Sequence, residues 1–507
     1  MSKGKLLAIV VVWLMLVGVG AVAWKFLVQP SVDAAQEEQR EQILTRGSSD
    51  SRYDHRLKLR LDSFSGYAVL RSPEFAKELG DRSIKVSLID DKADYAGRLA
   101  ALKRGEADLA VFTIDALLKT SSEVGELPAS IVSIIDETRG ADAVVGFKDK
   151  FKSVDDFNNP NVRFVLTPDS PSETLARVVM THFDLPNMAS NPIVAAKDAR
   201  DVYERYRTSG PNDSQVFVLW EPYVSKMKEN PNVHTIISTR DLFGYIVDVL
   251  VVNRNYLAKN EQVVKEILEC YFRASYQHRA KMTDLVLDDA KLQGEALTRD
   301  QAEKLVEGVQ WKDTQRNYAH FGVTSNGSIQ HIEDMIENIS NVLMSTGAMK
   351  TDPTEGRPNL LYYDSILRDL QSDQFHPSGS ATNDGVDDSI QLRGLSEREW
   401  NELTTVGTLK VPELVFARGG AKLLGGSKTT LNELADTLRT QRYYVKIRGV
   451  ATKQGDKELN KALAGSRAQA AMQYLNEKGI ATERLKATEP QLGNIPSVTF
   501  TLGQMPY

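Results

Sequence analysis

Between Leu57 and Asn253 short apolar runs alternate with helix-patterned stretches, and no other feature of the sequence restricts the fold as tightly. "LKLRLD", Leu57 to Asp62, alternates apolar and charged residues and then breaks at Ser63, Ser65 and Gly66, which predicts a strand running into a turn. "SIKVSLID" reads as a second strand, "YAGRLAALKRGEA" as a helix ending near Gly105, and "DLAVFT" as a buried strand. "ADAVVGF", "VRFVLT", "DSQVFVLW" and "IVDVLVVN" follow with helical stretches between them. Such alternation predicts parallel-type α/β sheets covered by helices on both faces. From about Tyr256 the pattern turns helical, through "NEQVVKEILECYFRASYQHRAKM", "TRDQAEKLVEGVQ" and "SIQHIEDMIENISNVLMSTG", segments expected to pack back on the sheets.

A chain of 507 residues exceeds one ordinary core, and at roughly 100–200 residues per domain it implies several folding units. The stretch "QSDQFHPSGSATNDGVDDS" is polar and turn-rich and reads as a linker, 372–394, between a body at 57–371 and a C-terminal unit at 395–507. That last unit has its own strand–helix pattern: "TLKVPELVFARGGAKLL", "SKTTLNELADTLRTQ" with Leu431, Leu434 and Leu438 on one face, "YYVKIRGV", a long helix, and "SVTFTL". With 41% apolar and 26% charged residues and a formal charge of −6, the composition is globular and gives no reason to expect a nucleic-acid partner. The single cysteine, Cys270, lies on an apolar helical face with Val264, Ile267, Leu268 and Phe272, the setting of a buried hydrophobe.

The N-terminus carries the compartment signal. Lys3 and Lys5 precede an unbroken apolar run from Leu6 to Trp24, close to the ~20 residues that cross a bilayer core. Ala21-Val22-Ala23 offers the alternative of a cleaved signal peptide. The apolar and aromatic "WKFLV" that follows suits an interfacial anchor, so the expected arrangement is an anchor at 1–28, a polar stalk at 29–56, and the bulk of the chain on the periplasmic side of the inner membrane. No ionisable residue interrupts the run, which makes the span a tether rather than a proton or ion path.

In open α/β sheets ligands gather at the carboxyl ends of strands. Those ends carry Ser63, Phe64, Ser65 and Gly66, then Thr113 and Asp115, then Ser170 to Glu173, then Trp220 and Glu221. "SPSE" at Ser170 to Glu173 has the pattern of a capping box with proline at the first helical position, and free N–H groups there would suit an anionic ligand group. Trp220 reads equally as core or pocket wall. Asp62, Asp115, Asp136, Asp142, Glu221 and Asp248 leave two readings open. Lining the cleft, they favour an amine or zwitterion; paired with Arg139 or Arg177, or capping helices, they say nothing of the ligand. The seven histidines are scattered and no phosphate loop or nucleophile elbow occurs, so no metal, cofactor or catalytic group is expected.

"ALKRGEADLAVFTIDALL", "DETRGADAVVGF", "KSVDDFNNPNVRFVLTPDSPSETLA", "VFVLWEPYVSKM" and "DVLVVNRNYL" together resemble periplasmic solute-binding proteins of the nitrate, sulfonate, taurine and pyrimidine-precursor type. The resemblance covers most of 57–371. It implies a bilobed, type II binding-protein-like α/β body that closes on a small solute, with Ser65, Gly66, Thr113, Asp115, Ser170, Ser172, Trp220 and Glu221 as contacts.

The segment from about Leu395 to Leu502 is similar to OmpA-like peptidoglycan-binding domains, through "VGTLKVPELVFARGGAKLL", "LNELADTLRT" and "YYVKIRGVATKQGDKELNKALAGSRAQAAMQYLNEKGIATERL". In that family an aspartate pairs with the ammonium of a zwitterionic peptide stem and an arginine takes its carboxylate. By that resemblance Gly449 is the loop glycine, Asn460 and Leu463 mark the helix entry, and Arg467-Ala468 the arginine pair. The aspartate position falls on neutral Thr452 and the preceding threonine position on Ala451. Asp456 reads either as a replacement charge or as the N-cap of the next helix, and Arg467 either as a ligand grip or as a surface charge paired with Glu433.

Anchor, stalk, bilobed body and wall-facing domain together suggest a non-enzymatic envelope tether or sensor that binds a small solute and peptidoglycan. Two alternatives stand beside it: a structural or signalling subunit of a membrane complex, and a delivery protein feeding an ABC-type permease.

Overall fold

In the computed structural model, residues 53–324, 329–378 and 392–506 are described. The expected membrane span therefore lies outside the described residues, and among those described no helix is long and apolar enough to cross a membrane.

The chain lays down β1 (His55–Leu61), β2 (Ile84–Asp90), β3 (Leu109–Thr113) and β4 (Ala129–Thr138), then crosses to a second lobe. There it forms β5 (Asp142–Phe147), β6 (Arg163–Leu166), β7 (Ile193–Ala195), β8 (Gln215–Trp220) and β9 (Val233–Ser238). It returns through β10 (Val247–Asn253) and later adds β11 (Val309–Trp311). The first sheet has the order β11-β4-β10-β3-β1-β2 and the second β7-β6-β8-β5-β9. Two crossings, β4 to β5 and β9 to β10, join the lobes, the geometry of a hinge.

These sheets are mixed rather than parallel-type. β1 runs parallel to β2 and β3, but β10 is antiparallel to both β3 and β4, and β5 to both β8 and β9. A strand returning from the second lobe must enter the first sheet from the opposite end, so the hinge itself imposes the reversal. β4, "ASIVSIIDET", is buried along its whole length and has no alternation to mark it, and β9 is equally unmarked in the sequence reading.

The expected elements otherwise fall close to their sequence positions. β1 begins at His55 rather than Leu57, and the helix Tyr95–Arg104 ends on Gly105 in the left-handed conformation. The "SPSE" capping box does not form. Ser170 is the N-cap residue of the helix Pro171–His182, yet its hydroxyl donates to the Thr167 carbonyl at 2.6 Å, and Glu173 reaches past it to the Asp169 N–H at 2.7 Å. Asp169 adopts a positive φ of 54°, which turns its N–H toward the helix and makes it the nearer donor.

β12 (Thr404–Thr408), β13 (Tyr444–Thr452), β14 (Leu485–Gly493) and β15 (Ser497–Gln504) build a third sheet in the order β12-β15-β13-β14, with the helices Gly425–Arg439 and Lys457–Glu477 packed on it. Strand β14, between the long helix and "SVTFTL", is an addition to the sequence reading. This unit is docked on the second lobe. Asp184 N–H donates to Thr408 O (2.9 Å), Lys410 N–H to His182 O (2.8 Å), Phe243 N–H to Thr440 O (2.6 Å) and Arg442 N–H to Asp241 O (2.9 Å). Leu409 faces Phe183 in an isolated antiparallel bridge, and both are buried in a core shared between the two units. The contact thus involves the helix Pro171–His182 and the segment leading back to β10.

Candidate interlobe cleft and C-terminal grip

The carboxyl ends of β1, β3 and β4 and the amino end of β10 meet at one edge of the first sheet, facing the second lobe. Antiparallel register places Asp248 opposite Asp136 on one side and opposite Thr113 on the other. The result is a row of Asp136, Asp248 and Thr113 across three adjacent strands. The turn after β1 covers it. Tyr67 donates its hydroxyl to Asp248, and a side chain at Gly66 would lie 2.5 Å from Asp136 Oδ2 and 2.3 Å from the Phe64 ring, so only glycine fits there. Trp311 Nε1 donates to the Gly66 carbonyl at 2.8 Å and fixes the turn.

The lobes touch directly. Asp115 accepts a hydrogen bond from Thr174 of the second lobe, and Lys119 pairs with Asp169 and lies 3.9 Å from Glu173. A cleft of about 190 Å³ remains between them, lined by Tyr95, Asp115, Lys119, Ser170, Glu173 and Arg177 among others. Asp142 opens β5 opposite Trp220, at the base of the second lobe.

Charge pairing divides the acidic residues. Arg98 holds Asp62 (3.1 Å) and Asp91 (2.5 Å), Arg71 holds Asp289 (2.6 Å), Lys312 and Arg139 hold Glu137 (2.6 and 3.1 Å), and Arg177 holds Glu173 (2.5 Å). Those bases hold Glu137 well below the usual carboxylate range despite its burial. Glu221 accepts from the Ser225 N–H (3.0 Å) and hydroxyl (2.9 Å) and so caps the following helix. Asp115, Asp136, Asp142 and Asp248, exposing 6, 0, 2 and 2% of their surface, have no ion-pair partner among the described residues. Desolvation raises all four, Asp142 to about 7, with Asp115 and Glu221 adding to its shift and the Thr138 hydroxyl partly offsetting it. The Asp136 charge raises Asp248 further, and both carboxylate oxygens of Asp136 are buried without a hydrogen-bond partner among the described residues.

Of the residues singled out in the sequence, Asp115 and Ser170 line the cleft together. Ser65 and Gly66 form the buried turn beneath it, and Thr113 continues the Asp136–Asp248 row. Ser172 sits fully buried in the first turn of the helix Pro171–His182. Trp220 is half-buried beside Asp142, and Glu221 is engaged as a cap. Tyr67, Tyr271 and Thr174 were not legible as site residues, because only the fold brings them to the carboxylates. Among the described residues no group of His, Cys, Asp or Glu has the arrangement of a metal centre.

In the C-terminal unit the helix Lys457–Glu477 lies so close to β13 that a side chain on Gly449 would meet the Ala464 carbonyl oxygen at 2.1 Å. Gly449 is thus fixed by packing. Asp456 is the N-cap of that helix and accepts from the N–H groups of Glu458 (3.0 Å) and Leu459 (3.1 Å). Thr452 accepts from Gln454 N–H at 3.2 Å, and Asn460 closes the loop by donating to the carbonyls of Thr452 (3.3 Å) and Gln454 (2.7 Å). Among the described residues Arg467 pairs with neither Glu433 nor an aspartate. It stacks over Phe416 at 5.0 Å and donates from Nε to the Gly420 carbonyl at 3.1 Å.

Two α/β lobes joined by two crossings, with polar side chains of both lobes turned into the cleft, define a solute-binding-protein-like fold, here combined with an OmpA domain. Residues 415–491 match the model of the OmpA family. The periplasmic aliphatic sulphonate binding protein of Escherichia coli is similar in structure at 14% identity, covering 62% of this chain and 99% of that one with a TM-score of 0.46. The periplasmic nitrate-binding protein of Synechocystis gives 11%, 67%, 92% and 0.43, and a Candida albicans protein with the generic periplasmic binding protein fold gives 12%, 62%, 94% and 0.44. No curated protein matches the chain.

Proposed function

We propose that the protein is a non-enzymatic binding protein of the cell envelope, held at the inner membrane by residues 6–24, binding a small solute between its lobes and contacting peptidoglycan through its C-terminal unit. The observation that carries the solute reading is the interlobe contact of Asp115 with Thr174 at the edge of a cleft lined by polar groups of both lobes. A ligand bound there stabilises the closed form in proportion to its affinity. A thermal-shift screen of the full chain with cationic, zwitterionic and anionic solutes tests this, and absence of any stabilising solute would refute it.

The wall contact rests on Arg467, whose guanidinium is held by Phe416 and Gly420 on the helix face that also carries Asn460. Retention of the full chain on peptidoglycan sacculi should fall on Arg467→Ala, and equal retention of both proteins would refute the arginine's role. A second reading, in which this unit serves as a protein-contact scaffold of a membrane complex, draws support from Thr452, which is neutral, and from Asp456, which is committed to its helix cap. Loss of a charge-assisted bond to an ammonium costs about 1.5–3 kcal/mol, enough to make the usual stem peptide a weak ligand.

A further inference from the structure

The crossing from β9 to β10 changes partner between two adjacent residues. Phe243 N–H donates to the Thr440 carbonyl of the C-terminal unit at 2.6 Å, whereas Gly244 N–H donates to Glu137 Oε1 of the first lobe at 2.7 Å. Upstream of that point Leu242 faces Gln441 in an isolated antiparallel bridge, and the Asp241 carbonyl accepts from Arg442 N–H at 2.9 Å. Downstream the Ile246 carbonyl accepts from Thr138 N–H of β4 at 3.1 Å. Gly244 has a φ of 73°, and Gly140 in the other crossing a φ of 127°, values that glycine takes without strain. Each crossing thus contains a glycine pivot, and at the second one the C-terminal unit holds the chain directly before it.

The same unit also holds the helix Pro171–His182 at the end away from the cleft. Lys410 N–H donates to the His182 carbonyl, Thr408 N–H donates to Asp155 Oδ1 at 2.7 Å, and a side chain on Gly407 would meet the Phe183 ring at 2.6 Å. The opposite end of that helix carries Thr174, which makes the interlobe contact with Asp115. The Tyr245 hydroxyl is hydrogen-bonded to His182 Nε2 at 2.7 Å and reaches the Thr440 side chain, so crossing, helix and C-terminal unit are joined at one point. Among the described residues the backbone hydrogen bonds between the C-terminal unit and the body go to the second lobe or to this crossing, and none goes to the first lobe. The unit is therefore an extension of the second lobe that also grips the hinge.

Lobes move about a hinge through a few residues at element ends that absorb the change in φ and ψ, so holding those residues from outside restricts the movement. The contact can also be released. Gln441 is fully buried at its centre with neither side-chain amide atom hydrogen-bonded among the described residues, a desolvation cost that separation of the two units relieves.

We propose that the C-terminal unit is a clamp on the interlobe hinge. Docked, it fixes residues 239–245 and the helix Pro171–His182 and keeps the lobes in contact; released, it frees them to open. The inference goes beyond the solute and wall readings, and its test needs neither ligand, so its failure leaves both standing.

The test is double electron–electron resonance on the full chain in detergent, with spin labels at Lys77→Cys in the first lobe and Asn212→Cys in the second. Both positions are exposed and outside the cleft lining, and the native Cys270 is buried. With the docking contact unaltered the labels should report one interlobe distance, and Leu409→Ala should shift part of the population to longer distances. Adding Gln441→Leu, which takes the unpaired amide out of the contact, should return that population toward the single distance. Arg442→Pro, which deletes the N–H donated to Asp241, should give the same shift as Leu409→Ala and serves if that variant fails to fold. Interlobe distances left unchanged by Leu409→Ala and by Arg442→Pro would overturn the clamp, whether the unaltered protein gives a narrow distribution or a broad one.

Discussion

Asp136 and Asp248 stand directly opposite each other on the adjacent antiparallel strands β4 and β10, both buried, with the Tyr67 hydroxyl donating to Asp248. Like charges at directly opposed positions are destabilising, and burial aggravates the cost. Asp248→Asn keeps the shape and removes one charge, so it should raise the stability of the solute-free protein at neutral or higher pH by about 1–3 kcal/mol. Urea denaturation of the two proteins measures the difference, and a loss of stability in the variant would show that the hydrogen bond from Tyr67 to the Asp248 carboxylate outweighs the repulsion between the two carboxylates.

Asp142 supplies a pH dependence whose sign follows from its raised value. In the unfolded chain it releases its proton near ~3.9, whereas in the folded protein it does so at about 7. Between those values the native state binds more protons than the unfolded state, so this group's contribution makes stability fall as pH rises, and the penalty is complete above the folded value. Asp241, at about 6, acts in the same direction. His182, which burial lowers to about 4, acts in the opposite one and gains stability as pH rises toward its unfolded value. Asp142→Asn isolates the first term: relative to the native sequence it should gain on the order of 2–4 kcal/mol at about pH 8 over its difference at about pH 4.

Gly449→Ala places a methyl group against the backbone carbonyl of Ala464, which cannot move without displacing the helix Lys457–Glu477. Overpacking against backbone costs about 1–3 kcal/mol or more. The variant should lower the melting temperature whether or not peptidoglycan is present, which separates this packing role from ligand binding.

Leu409 meets Phe183 where the C-terminal unit docks on the second lobe. Leu409→Ala should cost about 2–5 kcal/mol. Calorimetry should show a separate, earlier transition for residues 404–504 in the variant, whereas an unchanged single transition would mean that the docking contact does not couple the two units.

The strands that alternate or carry β-branched runs were legible, because their periodicity depends on local burial alone. β4 was not: buried on both faces, it has no alternation, yet it carries Asp136, Glu137 and Thr138. The carboxylates could be named but not sorted, since whether Asp62 meets Arg98 or Asp115 meets Thr174 is decided by contacts between distant segments. At Gly66 and Gly449 the fold brings Asp136 and Ala464 too close for a side chain, a packing constraint that the sequence does not display. The polar stretch before Leu395 reads as a linker to a separate C-terminal unit, and only the fold reveals Thr408, Lys410 and Thr440 joined to the second lobe by backbone hydrogen bonds.

The most direct test of solute binding between the lobes is native mass spectrometry of the full chain purified from its own source, comparing the natural sequence with Asp115→Asn, whose side chain lines the cleft. The expected result is one small solute bound per chain in the natural protein and its loss from the variant. Equal occupancy in both proteins, or no bound solute in either at any added concentration, would contradict solute binding between the lobes at Asp115.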